Sequence, residues 1–378
     1  MKRVLCLVLF AGVLAGGARL AQLALFPLLA AAQQQPAPGA PAPQAGRGGF
    51  GGPVELGPDD KPAFPDPPAG FNVKRDNIPH GELTHVQYDS KTLGTRRRIR
   101  VYTPPGYSAS RKYPVLYLLH GLGWNDLEWT EVRHAEVVID NLLADGKIQP
   151  MIMVFPNGDS SMTVAQIEAA GGGPWMGRGT GGPGPGAGAG ARAGADAPAA
   201  GRGAGTGAGA PGGAGAAARS GGTGAGGARS GAGGMAMDNW LTPFENDLIK
   251  DIIPFVDSHY SVYSDPAHRA LAGLSMGGGQ ALNIGLAHPE TFAYVGGFSS
   301  APDTKAPPDL VPDPAVPKRL KLLWLACGNK DGLIRISQGV HAYLKEKGVP
   351  HVWHVDGNAH DTTEWQNNLY LFGQRIFR

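Results

Sequence analysis

Cysteine is nearly absent from this chain. Only Cys6 and Cys327 occur among its 378 residues. Cys6 falls in an N-terminal stretch that reads as a removable leader, which leaves one thiol and excludes a fold stapled by an intramolecular disulfide. Cys327 ends an apolar run and reads as a small core residue rather than a catalytic thiol. Net charge is also scarce, at +2. That excludes a general nucleic-acid binder and a trap for acidic polymers. Metal-ligand spacing is missing too: His351 and His354 lie three apart on a strand and so on opposite faces. No metal and no cofactor is expected.

Large apolar residues are sparse in two stretches. Residues 33–70 are rich in Pro, Ala and Gly, and are expected to form a flexible tether because they bury too little to offset their ordering entropy. Residues 171–234 are mostly Gly and Ala, with scattered Arg178, Arg192, Arg202, Arg219 and Arg229. They read as a disordered, weakly basic surface loop, with adhesion to an anionic polymer as the alternative role. Loop-closure entropy grows slowly with length, so a stable scaffold tolerates such an insertion.

What is present begins with residues 1–32. Lys2 and Arg3 precede the apolar run Leu5–Phe10, and Leu28-Leu29-Ala30-Ala31-Ala32 ends in small residues. The pattern is that of an export signal cleaved near Ala32, placing the mature protein in the periplasm or outside the cell. Arg19 interrupts the apolar run and weakens the alternative of a retained membrane anchor. Arg3-Val4-Leu5 before Cys6 makes a poor lipoprotein site.

Roughly 240 residues then remain for folding, enough for one α/β domain over 71–378 interrupted by 171–234. Leu83–Tyr88 and Arg98–Tyr102 alternate in polarity like antiparallel edge strands. Pro114–Leu119 and Met151–Phe155 are continuous apolar runs, like central parallel strands. Phe244–Tyr260 carries Leu248, Ile249, Ile252, Ile253 and Val256 at helical spacing, with Pro254 expected to bend it. Leu320–Ala326, Ile334–Glu346, His351–Val355 and Glu364–Phe377 continue the alternation as strand, helix, strand and helix. Such alternation implies a mostly parallel central sheet with helices on both faces, in a single domain. Active residues in such sheets sit beyond the carboxyl ends of strands.

Three such positions fit one chemistry. Gly273-Leu274-Ser275-Met276-Gly277 fills a G-x-S-x-G pattern between an apolar run and a helix-like run, so Ser275 is expected on a tight turn with its hydroxyl projecting. Asp331 follows the strand ending at Ala326, and His360 follows the strand ending at Val355. A serine hydroxyl is a weak nucleophile near neutral pH; His360 would take its proton and Asp331 would orient His360. Alternatives stay open: Asp331 could merely cap the next helix, and Asp356 and Asp361 compete as the acid. Backbone N–H groups of Leu122, in the turn His120-Gly121-Leu122-Gly123, and of Met276 are the natural donors to an oxyanion, although His120-Gly121 also suits an ordinary turn. Trp124, Trp129 and Trp240 flank the expected mouth and could stack on a phenolic acyl group or a sugar. Core packing is the competing role for each.

Taken together, Leu118–Gly123, Asn141–Ile148, Tyr260–Tyr263, His268–Gln280, Ala326–Asp331 and Gly357–Asp361 resemble the family 1 carbohydrate esterases, especially bacterial feruloyl esterase domains. The resemblance runs from about His80 to the C-terminus and omits the insertion, which replaces what looks like a short loop in relatives. It implies an α/β-hydrolase fold with Ser275, Asp331 and His360 as triad. The expected protein is an exported serine carboxylic-ester hydrolase working through an acyl-enzyme, on feruloyl or acetyl esters of plant polysaccharide. Acetylxylan esterases, siderophore trilactone esterases, S-formylglutathione hydrolases and mycolyltransferases share this look. A siderophore esterase or an acyltransferase of the same fold is therefore the enzymatic alternative. A catalytically inactive carbohydrate-binding scaffold is the non-enzymatic one, and the complete Ser/Asp/His set counts against it. The expected partner is an ester substrate, with no nucleic acid and no stable membrane insertion once the signal is cleaved.

Overall fold

Apolar runs without polar interruption cannot face water on either side, and here they form the middle of a sheet. Eight strands occur in the computed structural model, which describes residues 53–170 and 238–378. The expected export signal, the first part of the tether and the Gly/Ala-rich insertion with Trp175 lie outside the described residues.

The strands are β1 (Glu82–Ser90), β2 (Thr95–Thr103), β3 (Val115–Leu119), β4 (Ile152–Pro156), β5 (Arg269–Leu274), β6 (Tyr294–Phe298), β7 (Leu322–Gly328) and β8 (Val352–Asp356). Their order across the sheet is β1-β2-β4-β3-β5-β6-β7-β8. β1 and β2 pair antiparallel, with Val86 opposite Ile99, and β2 joins β4 antiparallel. All remaining pairs are parallel. The polarity-alternating segments thus form one margin, and β3, β4 and β5 are buried at every position.

Alternation along each strand divides the core into two layers. Val115, Tyr117 and Leu119 of β3, with Leu271, Leu323 and Leu325, face one layer. There they meet Leu248, Ile252 and Val256, Leu282 and Ile284 of α5 (Met276–Ala287), and Val340 and Leu344 of α7 (Ile334–Glu346). Leu116 and Leu118, with Ala272, Leu274 and Trp324, face the other. That layer is closed by Val138, Ile139 and Leu142 of α1 (Ala135–Ala144) and by Leu369 and Phe372 of α8 (Thr362–Gly373). Each fully buried aliphatic side chain contributes about 1.5–3 kcal/mol. This is the α/β-hydrolase fold.

Two expectations need refinement. The helix before β5 starts earlier than its apolar spacing suggests, as α3 (Asp238–Asp247). It continues through a widened π turn, Leu248–Ile252, into α4 (Ile253–His259). Pro254 lacks an N–H and crowds the preceding turn. The widened turn directly before it takes up that defect, as inserted residues in helices do. The short helices α2 (Val164–Ala170) and α6 (Pro307–Leu310) complete the set.

The second refinement is a correction. Residues 53–70 were expected to belong to a flexible tether, yet they are bound along the β8 margin. The Val355 N–H donates to the Lys61 carbonyl (3.2 Å) and the Ala63 N–H to His354 Nδ1 (3.1 Å). Trp353 Nε1 donates to Asp60 Oδ1 (2.9 Å), and Asp59 pairs with Lys345. Phe64 stacks on Trp324 with centroids 5.4 Å apart, and the Arg375 guanidinium lies 3.6 Å above the Phe64 ring. Composition underestimates this segment because one aromatic, two adjacent carboxylates and a few backbone hydrogen bonds carry its contacts. It covers an edge strand that would otherwise expose unpaired backbone groups. Phe64→Ala should therefore lower unfolding free energy by about 2 kcal/mol, read from urea denaturation. No change would mean that the segment is bound without contributing to stability.

Candidate active site

The site is built where β5 stops. Ser275 has φ +53° and ψ −118°, a conformation L-residues rarely hold and which costs about 1–3 kcal/mol. The cost is offset locally. The Ser275 N–H donates to the Phe298 carbonyl (2.9 Å), and the Ser275 carbonyl accepts from the amides of Ala301 (3.0 Å) and Gly278 (3.0 Å). Glycine is required on both sides of the turn. A Cβ on Gly273 would stand 2.3 Å from the Gly277 carbonyl oxygen, and one on Gly277 would stand 2.4 Å from that of Leu119. Strand β5, strand β3 and helix α5 cross there in backbone contact, which points the half-buried serine away from the sheet.

His360 arrives from the loop after β8, and Asp331 from the loop after β7. Those loops are joined by backbone: Asn329 N–H donates to the Asp356 carbonyl (2.9 Å) and Lys330 N–H to the Asn358 carbonyl (2.9 Å). Gly328 permits this approach, since a Cβ there would lie 2.2 Å from the Asn358 oxygen. Ser275 Oγ lies 2.9 Å from His360 Nε2, and His360 Nδ1 lies 2.8 Å from Asp331 Oδ2. The second oxygen of Asp331 accepts the Leu333 N–H (2.8 Å). Burial pushes the Asp331 carboxyl upward. The hydrogen bond and charge of His360, with the Leu333 amide, more than offset this and hold it below the usual carboxylate range. An ionised Asp331 can only accept, so Nδ1 of His360 carries a proton and Nε2 is left as the acceptor for the serine hydroxyl.

The competing acids have other tasks. Asp356 accepts from the amide (3.0 Å) and side chain (2.6 Å) of Asn358 and so shapes the His360 loop. Asp361 caps α8, accepting from the Thr363 (2.9 Å) and Glu364 (3.2 Å) amides. Met276 is the first residue of α5. Leu122 sits in the turn after β3, in the loop ahead of Gly123. Neither amide has a hydrogen-bond acceptor among the described residues.

Of the three tryptophans, Trp129 requires correction. It is only 1% exposed, donates to the Leu119 carbonyl (2.8 Å) and meets Phe298 edge-on, so it belongs to the core and offers no face to a ligand. Trp124 is half-buried on the loop that carries Leu122, whose side chain is 42% exposed. Trp240 falls in α3, and its side chain lies outside the described residues. Among the described residues no group of three or more His, Cys, Asp or Glu side chains could hold a metal ion.

Comparison with known proteins identifies the family and the fold. The family model named Esterase matches residues 90–179 and 217–371, more than half of the chain. The chain belongs to this esterase family. Within it, a stretch of 314 residues is 28% identical to an endo-1,4-beta-xylanase/feruloyl esterase of Xylanibacter ruminicola, covering 82% of this chain. The chain spans only 33% of that relative's length. A CE1 ferulic acid esterase from Anaeromyces mucronatus, solved with ferulic acid, superposes with TM-score 0.58 at 22% identity, covering 82% of this chain and 96% of that one. A feruloyl esterase module from Clostridium thermocellum, solved with sinapinate, gives TM-score 0.55 at 16% identity, covering 86% and 97%. The resemblance to family 1 carbohydrate esterases is thereby borne out, as is the α/β-hydrolase fold.

Sequence reasoning missed the groups behind and beside the site of this esterase-family chain. Glu364 is fully buried against α8's own Asn368, with Oε1 accepting from Nδ2 at 2.9 Å, and among the described residues no cation pairs with it. Burial first, then the charges of Asp356 and Asp331, push its carboxyl well above the usual range. A raised carboxyl loses folded-state stability as pH rises, because the unfolded chain ionises above the ordinary value of 4.5 while the folded one stays neutral. Glu364→Gln should therefore gain in melting temperature relative to the parent as pH climbs from 4.5. A difference that stays constant over that range would mean Glu364 is ionised in the fold.

Proposed function

We propose that this chain is a serine carboxylic-ester hydrolase in which Ser275, His360 and Asp331 form the triad. The observation that carries the reading is the continuous relay from Ser275 Oγ to His360 (2.9 Å) to Asp331 (2.8 Å) on a strained turn. As Ser275 attacks the ester carbonyl, His360 Nε2 takes its proton and the imidazolium is stabilised by Asp331. The carbonyl oxygen becomes an oxyanion, which the Leu122 and Met276 amides receive. His360 then protonates the leaving alcohol, and the acyl group stays on Ser275. A water molecule, deprotonated by His360, releases the acid in a second cycle. Amides poised for an oxyanion favour the transition state over the ester itself, which is what lowers the barrier.

The substrate class follows from the relatives and from the mouth of the site. Feruloyl esters of plant polysaccharide fit the Xylanibacter xylanase/feruloyl esterase and the Anaeromyces ferulic acid esterase. The exposed Leu122 and half-buried Trp124, on the loop carrying the Leu122 donor, suit a flat phenolic acyl group. Acetyl esters of the same polymers are the smaller alternative. Export through the N-terminal leader would bring the protein to such substrates, which do not enter cells as polymers. Among the described residues no helix is long and apolar enough to cross a membrane.

The pure protein should hydrolyse methyl ferulate and 4-nitrophenyl acetate. Ser275→Ala should lower turnover by about four orders of magnitude or more while leaving the melting temperature near that of the parent. Near-normal turnover of every tested ester by this variant would remove Ser275 from the mechanism. Among the acids, Asp331→Asn should cost about a thousandfold or more in kcat and Asp356→Asn about tenfold, since only the former would reverse the His360 tautomer. The opposite ranking would reassign the acid of the triad.

A further inference from the structure

The turn that carries the Leu122 donor is held by an ion pair that also touches the His360 loop. Gly121 is fixed at both ends of its backbone. Its N–H donates to Glu128 Oε2 (2.7 Å), and its carbonyl lies 2.8 Å from His120 Nδ1. In a planar trans peptide the Gly121 carbonyl and the Leu122 N–H point in opposite directions. Fixing the first therefore aims the second. The other carboxylate oxygen of Glu128 receives Arg133 Nη2 (2.7 Å), and both side chains are largely buried, at 1% and 11% exposure.

Arg133 reaches across to the opposite wall of the site. Nη1 donates to Thr362 Oγ1, two residues beyond His360. The guanidinium lies 4.5 Å from the centre of the Trp365 ring, which in turn meets the His360 imidazole edge-on with centroids 5.1 Å apart. The Arg133 carbonyl accepts from Gln366 Nε2 (2.7 Å) in the same helix. Trp124 lies on the far side, 5.8 Å from the guanidinium. One buried pair thus ties the turn carrying one oxyanion donor to the loop and helix carrying the base.

We propose that Glu128 and Arg133 are positioning residues that fix the distance between the Leu122 amide and His360, and that the pair matters to the transition state rather than to ester binding. This rests on the triad reading given above. Neither residue touches the reacting atoms; both act through others. The chemistry requires a carboxylate at 128, because the Gly121 N–H and Arg133 meet different oxygens of Glu128, and in an amide one of those two positions is an NH2 that can only donate. It requires arginine at 133, because the planar fork reaches Glu128 and Thr362 at once while lying over Trp365, which an ammonium cannot do.

Arg133→Lys and Glu128→Gln test this, with Ser275→Ala as control. Each is assayed on 4-nitrophenyl acetate, with melting curves showing that the protein is folded at the assay temperature. Each positioning variant should lose about tenfold or more in kcat while KM stays within about twofold, because misaimed donors weaken the transition state selectively. Affinity for phenylboronic acid, which forms a tetrahedral adduct on the serine, should fall by the same factor as kcat. A merely structural pair would lower the melting temperature and leave these ratios alone. Should Arg133→Lys fail to fold, Glu128→Gln decides. A folded variant with kcat within twofold of the parent, or a rise in KM with unchanged kcat, overturns the proposal. If Ser275→Ala is itself fully active, the triad reading fails instead, which separates the two.

Discussion

The backbone at Ser275 is the constraint on which the rest of this structure depends. A residue with a side chain is held at φ +53°, and the strand before it and the helix after it cross so closely that only glycine fits at positions 273 and 277. That geometry is intrinsically unfavourable by about 1–3 kcal/mol, and it persists because surrounding bonds overdetermine it. The Ser275 amide and carbonyl are both tied to the segment leaving β6, through Phe298 and Ala301. Strand β3 supplies the third contact, where the Leu119 carbonyl abuts Gly277. The central strands therefore place Ser275.

Around that point the electrostatics are arranged to leave one negative charge facing His360. Cys327, Glu364 and Asp331 lie close together behind the imidazole. Burial, with the nearby carboxylates, drives the Cys327 thiol and the Glu364 carboxyl well above their ordinary values. Of the three, Asp331 alone is pulled down, because it alone receives His360 and the Leu333 amide. The neutral Cys327 Sγ sits 3.4 Å from Asp331 Oδ2, where a thiol can donate weakly and a thiolate would repel. A site with all three groups ionised would cost far more to bury, and the three like charges would repel one another.

Much of this was legible before the fold was known, for reasons that can be stated residue by residue. Ser275 was visible because a nucleophile on a tight turn needs glycine at fixed offsets and an apolar strand before it. Asp331 and His360 were visible because parallel sheets deliver their functional residues at strand ends. Other positions misled for equally physical reasons. Trp129 sits five residues after Trp124 on the same loop, and nothing in one-dimensional spacing distinguishes a tryptophan facing the mouth from one turned into the core. Residues 53–70 look disordered by composition, yet a single Phe64 against Trp324 and the pair Asp59-Asp60 bind them to the sheet margin.

By itself the sequence determined the local choices: the alternation of strand and helix, the central against the marginal strands, the turn at Ser275, and the placing of Ser275, Asp331 and His360 after the ends of strands. Those depend on periodicity and on backbone freedom, which act over a few residues. The tertiary structure alone decided which of Asp331, Asp356 and Asp361 faces the imidazole, and that Glu128 and Arg133 join the Gly121 turn to the His360 loop. These are contacts between segments as far apart as 229 residues, as for Arg133 and Thr362. Such contacts are selected by the packing of whole strands and helices, and a charge in a loop carries no local signal of the partner it will meet.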